Sequence, residues 1–200
     1  MDDEHYFSAD PSVPFKREPI VAEVWGHELK LDSSSGVFAR GRIDIGTAAL
    51  FRETEPPIQG RFLDLGCGYG AIGLAIAQAV PLASVWGVDV NERAVRLMNE
   101  NAAAMGVSGR VVACTPDQVP SNATFDEIWS NPPIRIGKVA LRELLLTWLP
   151  RLVPGGRAVM VIGRNLGGDS MQRWLIEQGY PTERVGNSKG FRILESIRPA

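Results

Sequence analysis

From Arg61 onward the apolar positions fall into short dense runs separated by longer amphipathic stretches. The dense runs Arg61–Leu65, Ser84–Val88, Arg110–Ala113 and Phe125–Trp129 read as strands. Residues 157–162 (RAVMVI) are almost wholly apolar, the pattern of a strand covered on both faces. Between these runs the spacing becomes helical over Ala71–Ala79, Glu92–Met105, Val139–Leu149 and Ser170–Gln178. Gly106 supplies a C-cap for the second of these helices, and Pro150 stops the third, which carries Leu141, Leu144, Leu145, Trp148 and Leu149 on one face. The fourth turns Met171, Trp174 and Leu175 inward. Thr182–Gly186 and Phe191–Ile197, joined through Asn187–Gly190, read as a hairpin closing the sheet edge. Strands alternating with helices predict an α/β fold, a three-layer sandwich on a seven-stranded, mostly parallel sheet.

Ahead of this pattern the chain is less regular. Residues 1–19 are proline-bearing and aperiodic, which suggests an arm. Over 20–57 a small extension is expected to pack on the core, leaving 58–200 as the main domain. Its apolar stretches Ala22–Leu31 and Gly36–Ala39 flank Asp32-Ser33-Ser34-Ser35 and suggest a hairpin turning there; Ile43, Ala48, Leu50 and Phe51 suggest a short helix ending before Pro56-Pro57.

Composition adds few constraints. With 44% hydrophobic and 22% charged residues the chain is an ordinary globular one. Its net charge of −2 does not advertise a nucleic-acid binder, although the later part carries the positive balance. Cys67 and Cys114, far apart in apolar surroundings, read as free thiols, and with only His5 and His27 beside them no metal cluster is expected. The acidic start Met1-Asp2-Asp3-Glu4 is unlike a signal peptide, and no run of about 18 apolar residues occurs. A cytoplasmic protein is the expectation.

Candidate chemistry begins at Leu63-Asp64-Leu65-Gly66-Cys67-Gly68-Tyr69-Gly70, which follows a strand and opens a helix. Glycines let the backbone approach a ligand. Asp89, at the end of the next strand, is in place to accept both hydroxyls of an adenosine ribose. Gly68, Gly70 and Gly73 also satisfy the G-x-G-x-x-G spacing of an NAD site, so an oxidoreductase is a rival. Asp64 weighs against it, because a carboxylate there repels a pyrophosphate but welcomes the ammonium and sulfonium of S-adenosylmethionine (AdoMet). Asp117, after the third strand, suits either an adenine amino group or a local Asx turn.

The segment Ser130-Asn131-Pro132-Pro133-Ile134 directly follows the fourth strand. Ligands of open α/β sheets bind where the strand order reverses, and strands one and four flank that point. Two prolines restrict the backbone, so the Asn131 amide oxygen and the Pro132 carbonyl form a rigid pair of acceptors. Such a pair suits a planar amino group, whose delocalised lone pair must be turned toward an electrophile.

These residues carry a resemblance. Residues 61–163, with LDLGCGYG at 63–70, Asp89 and NPPI at 131–134, resemble the small-domain methyltransferase family, which acts on exocyclic amines. Asn131-Pro132-Pro133-Ile134-Arg135 followed by Gly137-Lys138 is similar to the branch that forms N2-methylguanine in small-subunit ribosomal RNA; so are Gly36–Arg40 with Asp44-Ile45-Gly46, and the terminal Gly190–Leu194. The resemblance implies a class I AdoMet-dependent fold. It implies Asn131 and Pro132 as the catalytic acceptors, and cofactor contacts from Asp64, Gly66, Cys67, Gly68, Gly70, Asp89, Val90, Asp117 and Asn131. Substrate contacts are expected from Phe38, Arg40, Pro133, Ile134, Arg135 and Lys138. Arginine binds phosphate bidentately, so Arg40, Arg42 and Arg135 join Lys138 as candidate RNA contacts.

Two departures matter. Ile134 stands where many amino-methyltransferases carry an aromatic that stacks on a flipped base, so Phe38 or Arg135 is expected to supply part of that platform. Long relatives carry a second, amino-terminal domain copy, so RNA affinity is expected from this chain's own surface or from a partner. A monomer or homodimer acting on ribosomal RNA or the small subunit is the expectation. Adenine N6, a protein glutamine amide and a non-catalytic AdoMet-binding assembly role stay open.

Overall fold

The computed structural model describes residues 17–34, 42–132, 136–164, 167–188 and 190–200. Its centre is a seven-stranded sheet of β3 (Arg61–Leu65), β4 (Ser84–Val88), β5 (Val111–Cys114), β6 (Phe125–Ser130), β7 (Leu152–Gly163), β8 (Thr182–Ser188) and β9 (Phe191–Ile197). The strand order is β5-β4-β3-β6-β7-β9-β8. The first five strands in that order run parallel, and the β8–β9 hairpin closes the sheet antiparallel against β7. The chain steps outward through β3, β4 and β5, then crosses back to β6 on the other side of β3. That reversal opens a crevice at the carboxyl ends of β3 and β6.

Helices α1 (Ile45–Glu53), α2 (Ala71–Ala79), α3 (Glu92–Ala104), α4 (Gly137–Trp148) and α5 (Gly168–Glu177) cover the sheet. Strand residues alternate between two cores. Phe62, Trp129, Val159 and Val161 pack with α1, α2 and α3, whereas Leu63, Leu65, Ile128, Met160 and Ile162 pack with α4 and α5. Burying each large apolar side chain contributes about 1.5–3 kcal/mol, and both faces of the central strands are used. This is the expected three-layer sandwich. In this domain predicted and observed ends differ by at most two residues, except that β7 reaches back to Leu152.

The extension departs from expectation. Its hairpin pairs β1 (Arg17–Val24) with β2 (His27–Ser34), and the turn is Trp25-Gly26, not residues 32–35. Asp32, Ser33 and Ser34 belong to β2, and both serines are buried. Arg17–Pro19, expected in the arm, belong to β1. A tight two-residue turn wants positive φ at both central positions; Gly26 adopts 77° freely, but Trp25 at 50° is an unusual occupant. Tertiary contacts stabilise it. The indole Nε1 donates to the Phe51 and Thr54 carbonyls, and the ring packs edge-on against Phe51 and Trp129. Asn101 of α3 then exchanges hydrogen bonds with the Asp32 backbone, tying β2 to the core.

Candidate functional site

Three glycines shape the turn after β3. Gly66, Gly68 and Gly70 have φ of 75°, 55° and 93°, which L side chains rarely adopt. The turn is pinned to β4, because the Gly66 and Cys67 amides both donate to the Val88 carbonyl. Close approach is also required one strand over: a Cβ on Gly87 would collide with the Met98 thioether. The Cys67 side chain turns into the core, where burial pushes its thiol up.

Two carboxylates flank this turn. Asp89, 7% exposed, accepts from the Gly68 amide at 3.0 Å through one oxygen and from the Asn91 amide at 2.9 Å through the other. Burial raises its pKa, and the amides of Asn91, Gly68 and Val90 oppose the rise. Asp64 is more deeply placed. It is 1% exposed and accepts from the Gly73 amide at 2.8 Å, which ties β3 to the first turn of α2. Burial lifts its pKa to about 7 against that hydrogen bond, and the Asp89 charge adds to the rise. A carboxylate so placed gains from a cation brought beside it.

Below the turn lies an apolar slot of about 220 Å³. Leu65, Gly66, Val88, Asp89, Val90 and Pro116 line one side, and Ile136, Ala140, Leu144 and Trp148 of the α4 segment line the other. Those four recur at successive i+4 positions; Leu144 and Trp148 belong to the expected apolar face of the helix, whereas Ile136 and Ala140 do not. Asp117 is exposed in the short 3-10 turn Pro116–Gln118; it borders a separate open depression with Arg96 and Thr115, while its neighbour Pro116 reaches the slot.

On the far side of the crevice, Ser130 Oγ donates to the Leu65 carbonyl at 2.6 Å and locks the end of β6 to β3. Asp64 pairs with Trp129, so Asn131, two residues on, stands level with Gly66 at the mouth of the crevice. The Asn131 amide nitrogen donates to Asp44 Oδ2 at 2.6 Å and to Thr47 Oγ1 at 3.0 Å. Pro132 is buried. Asp44 and Thr47 at the start of α1 were absent from the expected site, and the N-cap signature of an Asp just ahead of Gly46 and Thr47 was the available hint. Lys138 is exposed at the start of α4, its ammonium beside Gly167. Phe38, Arg40, Pro133, Ile134 and Arg135 lie outside the described residues. Among the described residues no group of three His, Cys, Asp or Glu can hold a metal, and no helix is long and apolar enough to cross a membrane.

Comparison with known proteins agrees with this fold. A family model described as the methyltransferase small domain matches residues 28–195. The Bacillus subtilis protein YbxB, named as uncharacterized, is 34% identical over 196 residues, covering 96% of this chain and 98% of that one. The ribosomal RNA small subunit methyltransferase C of Pseudomonas aeruginosa strain LESB58 is 33% identical over 177 residues, 86% of this chain but 52% of that protein. Its Pasteurella multocida namesake is 34% identical over 140 residues, 67% of this chain and 42% of its own length. The chain therefore spans about half the length of the curated relatives that carry this name. Among solved structures, the T. thermophilus 16S rRNA N2 methyltransferase RsmC in complex with AdoMet and guanosine superposes with a TM-score of 0.79 at 23% identity, over 94% of this chain and 52% of that one. A methyltransferase from Pyrococcus furiosus superposes at 0.63 with 18% identity, over 78% and 83%. With its sheet order and a family match over most of its length, the chain belongs to the methyltransferase small domain family, AdoMet-dependent methyltransferases on a class I Rossmann-like fold.

Proposed function

We propose that this chain methylates an exocyclic amine of a nucleic-acid base, guanine N2 in small-subunit ribosomal RNA, using AdoMet. The observation that carries the amine reading is the Asn131 amide. Its nitrogen is committed to Asp44 and Thr47, and among the described residues none donates to its oxygen, which is thus left as an acceptor. The guanine and ribosomal RNA readings are supported by the names of the relatives and by the Asn131–Lys138 segment.

The residues fit AdoMet. The apolar slot between Val90 and the α4 segment suits a purine ring, and each Asp89 oxygen has capacity left for a ribose hydroxyl. The glycine turn leaves backbone open to the methionine portion, and Asp64 behind it offsets the ammonium charge. Bound AdoMet supplies a sulfonium-activated methyl group and leaves as a neutral thioether. Asn131 Oδ1 and the Pro132 carbonyl accept the two hydrogens of the target amine and turn its lone pair out of conjugation. Positive charge that builds on the nitrogen during transfer faces these two acceptors, and a proton then leaves that nitrogen to solvent. Lys138 and Arg42, with Arg40 and Arg135, engage RNA phosphates. The protein acts in the cytoplasm, where its RNA is found.

Labelled AdoMet, offered with naked ribosomal RNA, assembled small subunits, DNA or protein extract and followed by nucleoside mass analysis, tests this. Label in N2-methylguanosine is the expected outcome; label confined to DNA or protein overturns it.

A further inference from the structure

Asp44 does two jobs with one oxygen. As the N-cap of α1 its Oδ2 accepts from the Gly46 amide at 2.8 Å and the Thr47 amide at 3.1 Å. The same Oδ2 accepts from Asn131 Nδ2 at 2.6 Å, across 87 residues of sequence. Thr47 Oγ1 takes the second Asn131 N–H at 3.0 Å. An amide side chain left to itself can flip, exchanging its donor and acceptor ends. A carboxylate oxygen can only accept, so contact with Asp44 fixes the nitrogen as the end of the amide turned to Asp44 and Thr47 and leaves the oxygen as the other end. Among the described residues none donates to that oxygen. Gly46 permits the arrangement: a Cβ there would come within 2.9 Å of Asp44 Oδ2 and 3.1 Å of Asn131 Oδ1.

We propose that Asp44 is a positioning residue for methyl transfer, holding the Asn131 amide with its oxygen toward the incoming amine and, by its charge on the N–H side, strengthening that oxygen as an acceptor. Hydrogen bonds to a charged acceptor are roughly twice as strong as neutral ones and polarise the group that donates them. Catalysis by Asn131 thereby depends on the docking of α1, outside the Rossmann-like core. The proposal rests on the amine-acceptor reading of Asn131.

The test separates capping from positioning. Asp44→Ser keeps a good N-cap but is too short to reach Asn131, and Asp44→Asn keeps the length without the charge. With the full chain and the RNA that takes label above, Asp44→Ser is expected to lower kcat by about 10-fold or more, while AdoMet affinity stays within about 2-fold and Tm nearly unchanged. Asp44→Asn should recover part of the loss. In an Asn131→Ala background Asp44→Ser should cost nothing further, because a residue that acts through Asn131 has nothing left to orient. The Asn131 side-chain amide signals in a ¹H–¹⁵N spectrum, identified by their loss in Asn131→Ala, should shift in Asp44→Ser. Wild-type turnover in Asp44→Ser, full multiplicative losses in the double variant, or unmoved amide signals overturn the proposal alone. Wild-type turnover in Asn131→Ala overturns the acceptor reading and the proposal with it.

Discussion

The proposed cofactor side and the proposed acceptor side of the crevice are assembled differently. On the cofactor side Gly68 meets Asp89 across 21 residues and Gly73 meets Asp64 across nine, in both cases a backbone amide on a carboxylate within one β-α-β unit. On the acceptor side Asn131 is held by side chains of Asp44 and Thr47, 87 and 84 residues away. The first half forms whenever β3, α2 and β4 pack. The second needs α1 to dock against β7, β8 and β9 so that its first turn reaches the end of β6. The two halves should therefore fail separately.

The largest effect expected to sharpen this contrast is Asn131→Ala. Removing one positioned acceptor should lower kcat by roughly 100-fold or more, with AdoMet affinity within about threefold of wild type by calorimetry. Loss of cofactor binding in that variant would break the division. Asp89→Ala should do the converse, weakening AdoMet binding on the order of 100-fold through two lost hydrogen bonds to a charged group, while kcat at saturating cofactor falls far less.

A smaller effect follows from Asp64. Its pKa is raised from 3.8 to about 7, so between those values the folded apo protein keeps a proton that the unfolded chain has released. Stability from this group is therefore full below 3.8 and is lost as pH rises through about 7. Binding a cation beside Asp64 favours the carboxylate, so AdoMet affinity should fall up to about tenfold per unit as pH drops below 7 and level off above it. Titrating Kd against pH in wild type and Asp64→Asn checks this; an unchanged profile in the variant would remove Asp64 from the cofactor site. The smallest effect is expected from Lys138→Ala. It should raise KM for RNA by roughly two- to threefold, an effect that fades as salt is added, and leave kcat unchanged.

The same division describes how much was legible beforehand. Alternating strands and helices, the glycine turn and Asp89 were readable because each rests on local periodicity or on a motif within one supersecondary unit. Of the slot wall formed by Ile136, Ala140, Leu144 and Trp148, only Leu144 and Trp148 fell in the expected apolar face, and spacing does not say whether such a face meets core or ligand. The hairpin turn was misplaced because Asp32–Ser35 carries the composition of a turn, whereas Trp25 at positive φ does not.

By itself, then, the sequence determined the class I architecture, the glycine turn with Asp89 after the next strand, and an Asn-Pro-Pro segment ending the fourth strand, since these depend on near neighbours and on the covalent restraint of proline. Only the tertiary structure decided that Trp25 turns the hairpin and that Asp44 grips the Asn131 amide. Both contacts join residues distant in the chain, Trp25 with Thr54 inside the extension and Asp44 with Asn131 at the end of β6, so each exists only once those segments have packed together. Which end of the Asn131 amide turns to Asp44 is a question of partner chemistry, and the partner is chosen by the fold.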